Sequence, residues 1–222
     1  MKEKLLCLLY FLIIVNISAQ IPSPKVIKKE FIFEEGAYFK QCHASTIEQS
    51  SDGNLLASWF GGSHEGGKDV VIWGAHSDGK TWSSPEIWAD GKVNDSLRYP
   101  CWNPVLFRSK KEKIIYLYYK VGSNPREWWG MVKTSRDNGK TWEKAERLPD
   151  SILGPIKNRP IELANGDIIS PSSREINENR WKAHVEISRN HQKTWTSYSI
   201  DYASAFNVIQ PSILVHKNGK LQ

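Results

Sequence analysis

Beyond the first twenty residues, hydrophobic positions come in short runs closed by turn-forming residues. LLASWF (55–60), VVIWGAHS (70–77), IIYLYY (114–119) and WGMVKTS (129–135) are strand-length runs rich in aromatic and β-branched side chains. Polar stretches containing Gly, Asn, Asp or Ser bound them, which predicts β-strands joined by tight turns. No stretch shows the 3.6-residue period of an amphipathic helix. The pattern predicts an all-β chain.

The runs recur as a unit. Gly-Lys-Thr-Trp ends a turn at 79–82 and again at 139–142, and a worn copy reads Gln192-Lys193-Thr194-Trp195. Upstream of each lies another turn followed by an apolar pair: Asp52-Gly53-Asn54, Lys111-Glu112-Lys113 and Asn165-Gly166-Asp167, with Asn218-Gly219-Lys220 opening a fourth copy. Four short strands per repeat of about 50–60 residues predict the blades of a β-propeller. About three and a half blades are visible, so residues 20–222 read as one propeller domain, incomplete at its C-terminus, in the amino-terminal part of a longer protein.

A turn such as SRDNGKTW (135–142) has a physical logic. Asp side chains bond nearby backbone N–H groups, Gly supplies a left-handed residue, and the closing Trp142 buries its ring between neighbouring blades. The motif is a staple without chemistry of its own. Successive antiparallel strands reverse direction, so the first and third turns of every repeat share one face. The second loops and the starts of the innermost strands share the other, where a ligand would sit.

Composition then narrows the setting. The formal net charge is +6, spread without a basic block, which suits a small anionic ligand and argues against nucleic acid. Lys2 and Lys4 precede an apolar run from Leu5 to Val15 and the small residues Ser18 and Ala19. This is the layout of a cleavable signal peptide over residues 1–19, too short for a stable membrane anchor, and it predicts a secreted or periplasmic protein. Cys42 and Cys101 remain after cleavage; whether they pair is open. No CxxC or His cluster suggests a metal, and neither a metal nor a cofactor is expected.

SRDNGKTW fits the Ser-x-Asp-x-Gly-x-Thr-Trp pattern of the Asp box in full, and the copies at 75–82 and 188–195 fit it in part. On these motifs the chain resembles the sialidase superfamily of BNR-repeat propellers, which implies six blades when complete. The resemblance also implies a carboxylic acid in the second loop of the first blade, where Asp69 stands. The family's arginine at the start of the first inner strand is replaced by His43, and its Tyr nucleophile and Glu partner would come from later blades.

The ligand face therefore carries these candidates. Asp69 and Glu65, in the Gly-rich loop GGSHEGGKD (61–69), are candidate proton donors if their pKa is raised, and His43 is a candidate catalyst. Arg159, Arg126, Lys120 and Lys157 could hold a sugar carboxylate. Trp102, Trp128 and Trp129 could stack on a pyranose, and Asn103, Asn158, Gln210 and Glu175, the last in the expected loop 170–181, could bond hydroxyls. The pair His184 and Glu186 reads as structural.

Three functions fit this face. The first is an exo-acting glycoside hydrolase removing a terminal, acidic sugar from a glycan. The second is a polysaccharide lyase using His43 as base with Arg126 and Arg159. The third is a glycan-binding propeller without catalysis. The sequence leaves the sugar, the linkage and the oligomeric state open.

Overall fold

The computed structural model describes residues 23–200 and 206–222; residues 1–19, read as a signal peptide, lie outside them. Contacts group the chain into two units, Met1–Phe31 and Ile32–Gln222. In the first, residues 23–31 have no regular secondary structure. The second contains only β-structure among its described residues, in three four-stranded antiparallel sheets.

The first sheet is β1 (Gln41–Gln49), β2 (Leu55–Gly62), β3 (Val71–Ser77) and β4 (Glu86–Ala89). The second is β5 (Cys101–Ser109), β6 (Ile114–Val121), β7 (Trp129–Ser135) and β8 (Glu146–Arg147). The third is β9 (Ile161–Glu162), β10 (Ile168–Asn177), β11 (Arg180–Arg189) and β12 (Thr194–Ser199). Within each sheet the strands lie in sequence order. This is the meander of propeller blades that the repeat predicts. A fourth repeat begins as a hairpin closed by the bridge between Val215 and Leu221.

Packing follows the two-residue period of a strand. Along β6, Ile115, Leu117 and Tyr119 face the first sheet and join Leu56, Phe60, Ile72 and Leu106 in one core. Ile114, Tyr116 and Tyr118 face the other way and join Val105, Phe107, Ile152 and Ile168 toward the third sheet. Central strands are therefore buried on both sides, and each fully buried Leu or Ile contributes about 1.5–3 kcal/mol. That explains why LLASWF and IIYLYY read as continuous apolar runs.

The Asp boxes behave as expected. Asp137 accepts from the Thr141 hydroxyl at 2.6 Å and backbone N–H at 2.9 Å, and Ser135 Oγ accepts from Gly139 N at 2.8 Å. These bonds, the Thr141 hydroxyl's foremost, lower the Asp137 pKa to about 2. Gly139 sits at φ 83°. In the first copy Asp78, one position later in the motif, takes over and accepts from the N–H groups of Lys80 and Thr81. In the third, Asn190, His191 and Gln192 make the turn with three consecutive left-handed residues.

One expectation needs correction. Residues 170–181, expected as a loop, are mostly strand: β10 and β11 run to a tight hairpin pairing Asn177 with Arg180. The innermost strand of the third sheet, β9, has only two residues. Pro160 precedes it and cannot donate to a ladder, and Lys157 is left-handed at φ 67°.

Candidate functional site

The two faces of the sheets separate as the strand directions require. On one face, Ser51, in the β1–β2 turn, donates from its hydroxyl to Asn138 Oδ1 in the Asp box of the next repeat at 2.7 Å. On the other, Glu65 N reaches Gln41 Oε1 at 3.4 Å, joining the β2–β3 loop to the start of β1. Each repeat carries a left-handed residue in or just before its innermost segment: Ala44 (φ 53°) within β1, Asn103 (φ 42°) within β5, Lys157 (φ 67°) ahead of β9, and Gln210 (φ 55°) in the fourth repeat. In the first two sheets the ladder slips there, between His43 and Thr46 and between Trp102 and Val105. This bulge turns the strand ends out at the ligand face.

In the first repeat that geometry makes a cavity of about 340 Å³, lined by Lys40, Gln41, Cys42, His43, Phe60, Gly62, His64, Glu65 and Val70. His43 is exposed and its ring centroid lies 5.6 Å from that of Phe60. Phe60 is a buried apolar floor, and Glu65 is exposed at the rim. The structure thus brings together His43 and Glu65 of the expected residues and adds His64 and Lys40. Cys42 is exposed and Cys101 buried, both as free thiols, which answers the open question of their pairing.

Asp69 departs from the expectation of a raised pKa. Its Oδ1 accepts from the Ser63 hydroxyl and its Oδ2 from Ser63 N, both at 2.7 Å. The Ser63 hydroxyl bond is the main cause holding its carboxyl below the ordinary range. It is an ionised loop fastener in this geometry.

The other repeats contribute differently from their expected roles. Lys120 lies fully buried on β6, donating to Pro155 O at 2.9 Å, and burial pushes its pKa down to about 7 against the opposing charge of Glu186. Trp102 is buried too, its Nε1 donating to Gly122 O at 2.9 Å and its ring edge-on to Phe60 and Trp128. Asn103 is buried at the bulge. Neither ring nor lysine is a rim group, because the strand period turns both inward. Trp129 is half-buried under the Arg147 guanidinium.

Arg159 pairs with the buried Glu48 at 2.8 Å and lies over the Phe107 ring. Asn158 donates to Gln210 O and Pro211 O at 2.7 and 3.0 Å, and Gln210 N donates to Ser173 Oγ, so these amides bind backbone and neighbours. Arg126 faces Glu178 at 3.7 Å, and burial raises the pKa of Glu175 while Arg126 opposes the shift. Lys157 is half-buried. Glu186 and His184 are structural: the Glu186 carboxylate accepts from Leu153 N, Gly154 N at 2.6 Å and the His184 ring at 2.9 Å. They clamp the connector from β8 to β9.

Among the described residues, no group of three or more His, Cys, Asp or Glu is placed to hold a metal ion. His64 was missed from sequence, although a Ser-His pair followed by Asp69 in one Gly-rich loop carries the signal.

The profile of the BNR repeat-like domain family matches residues 53–222. No curated protein matches the chain in sequence. Among solved structures, a protein of unknown function from Dyadobacter fermentans superposes with TM-score 0.62 at 16% identity, covering 81% of this chain and 60% of its own. A Hadza microbial sialidase gives 0.62 at 15%, covering 78% and 39%. A family 117 glycoside hydrolase of Zobellia galactanivorans gives 0.56 at 12%, covering 76% and 59%. The chain spans less than two thirds of each of these, and the likeness is one of fold.

Proposed function

This chain belongs to the BNR repeat-like domain family, and from that premise we propose that it processes glycans as a hydrolase removing a terminal, acidic sugar at the pocket of its first repeat. One observation carries the reading: a cavity of about 340 Å³ on the face away from the Asp boxes sets a carboxyl group, Glu65, beside the imidazole of His43. Glu65 would protonate the glycosidic oxygen as its bond to the anomeric carbon breaks. Lys40 supplies a positive charge and His43 a ring N–H for a sugar carboxylate, and Phe60 an apolar floor. A sialidase and a glycoside hydrolase among the similar structures support glycans as the substrate class. The signal-peptide layout of residues 1–19 supports a reaction outside the cytoplasm.

Elimination from a uronate is the second reading, favoured by two imidazoles in a pocket whose neighbouring Asp69 is held ionised. Mass spectrometry of products from sialylated and uronate-containing oligosaccharides, using the complete protein, tests both. Products summing to substrate plus one water support hydrolysis. Products summing to substrate alone, one unsaturated, replace it by elimination, and binding without any product leaves a glycan-binding propeller.

A further inference from the structure

The β2–β3 loop holds a relay that the reading above does not use. The Ser63 hydroxyl lies 2.7 Å from Asp69 Oδ1 and 3.0 Å from His64 Nδ1. A carboxylate only accepts and a hydroxyl has a single proton. Asp69 is kept ionised by its Ser63 bonds, so the Ser63 proton points to Asp69. The remaining partner, His64 Nδ1, must then be the donor, and a neutral ring protonated on Nδ1 carries its lone pair on Nε2. His64 lines the cavity together with His43 and Glu65.

The loop is shaped around this relay. A Cβ on Gly67 would stand 2.7 Å from Asp69 Oδ1 and 2.9 Å from Ser63 Oγ. The absence of a side chain there lets the two groups meet. Asp69 is thereby removed from the proton-donor role, and Ser63 is excluded as a nucleophile because its proton is directed away from the imidazole.

We propose that His64 is the proton acceptor of this pocket and that Ser63 and Asp69 are positioning residues fixing its Nδ1–H tautomer, an assignment that rests on the glycan-processing reading for its reaction. In hydrolysis, Nε2 takes a proton from a water molecule as the water oxygen bonds to the anomeric carbon. The bond to the glycosidic oxygen breaks, its electron pair stays on that oxygen, and the oxygen takes a proton from Glu65. Substrate and water become sugar and free alcohol.

The tautomer is read by ¹⁵N–¹H correlation of the His64 ring in the complete protein near neutral pH, independently of any activity. The relay predicts Nδ1–H in the parent and in Ser63→Thr, and a change to Nε2–H, the form free histidine prefers, in Ser63→Ala and Asp69→Asn. Gly67→Ala should give the same change while keeping both side chains. Nε2–H in the parent overturns the relay. Against a glycan that is turned over, His64→Gln should lower kcat about 100-fold or more with KM within about twofold, and an unchanged kcat overturns the catalytic assignment. If no glycan is turned over while the tautomer pattern holds, the functional reading and His64's proton-accepting role both fail and the relay alone is supported.

Discussion

The Trp142 ring of the second repeat lies 5.3 Å, centroid to centroid, from the Trp88 ring on the outermost strand of the first. An Asp-box turn thus ends by placing its tryptophan on the neighbouring sheet. Trp142→Ala should lower stability by about 2 kcal/mol, or about 4–8 °C in Tm for a domain of this size. Differential scanning calorimetry checks it.

Within the first sheet, the Trp88 ring leaves no room for an added atom at Gly74. A Cβ there would lie 2.1–2.2 Å from the ring carbons of Trp88, which is itself buried. Gly74→Ala should cost about 3 kcal/mol or abolish folding, since neither a core ring nor a central strand can yield that far. Circular dichroism melts of the purified variant would show a parent-like Tm if the packing were looser than described.

Asp137 makes one acid-side contribution. Its pKa is lowered from 3.8 to about 2 by the Thr141 bonds. The stabilisation is complete above the unfolded value and disappears as pH falls through about 2. Asp137→Asn should be less stable than the parent near neutral pH, with the gap in Tm closing between pH 4 and about 2.

Lys120 has the opposite window. Its pKa falls from 10.5 to about 7 on burial, so between those values the unfolded chain binds more protons and stability rises with pH. Relative to Lys120→Met, the parent should gain stability from about pH 7 to 10 by up to about 1.4 kcal/mol per pH unit. Denaturant titrations at several pH values measure the slope.

The cysteines should separate by accessibility. Burial pushes the Cys101 thiol far up and also raises that of Cys42. A thiol reagent should therefore modify Cys42 in the folded protein and Cys101 only after denaturation, which peptide mapping resolves.

Much of the fold was legible in the sequence because each repeat writes strand, turn, strand at a fixed spacing. The candidate pocket was legible as far as position along a strand determines it: His43 and Glu65 line one cavity. Lys120 was misplaced, although the information was present. It continues the series Ile114, Tyr116, Tyr118 at two-residue spacing, and that series faces the third sheet. What no local pattern records is which distant group a polar side chain will find. Asn158 closes on the Gln210 and Pro211 carbonyls and Arg159 on Glu48, across separations set by how blades stack.

Glu48 ties three repeats together. Its carboxylate accepts from Gln49 N in its own repeat and Arg108 N in the second, and pairs with Arg159 in the third. Arrays of repeats that touch only their neighbours can unzip from one end, one unit at a time. A carboxylate shared by three successive repeats adds a next-nearest-neighbour coupling, so that loosening the first unit withdraws a partner from the third, and peeling is converted into concerted melting.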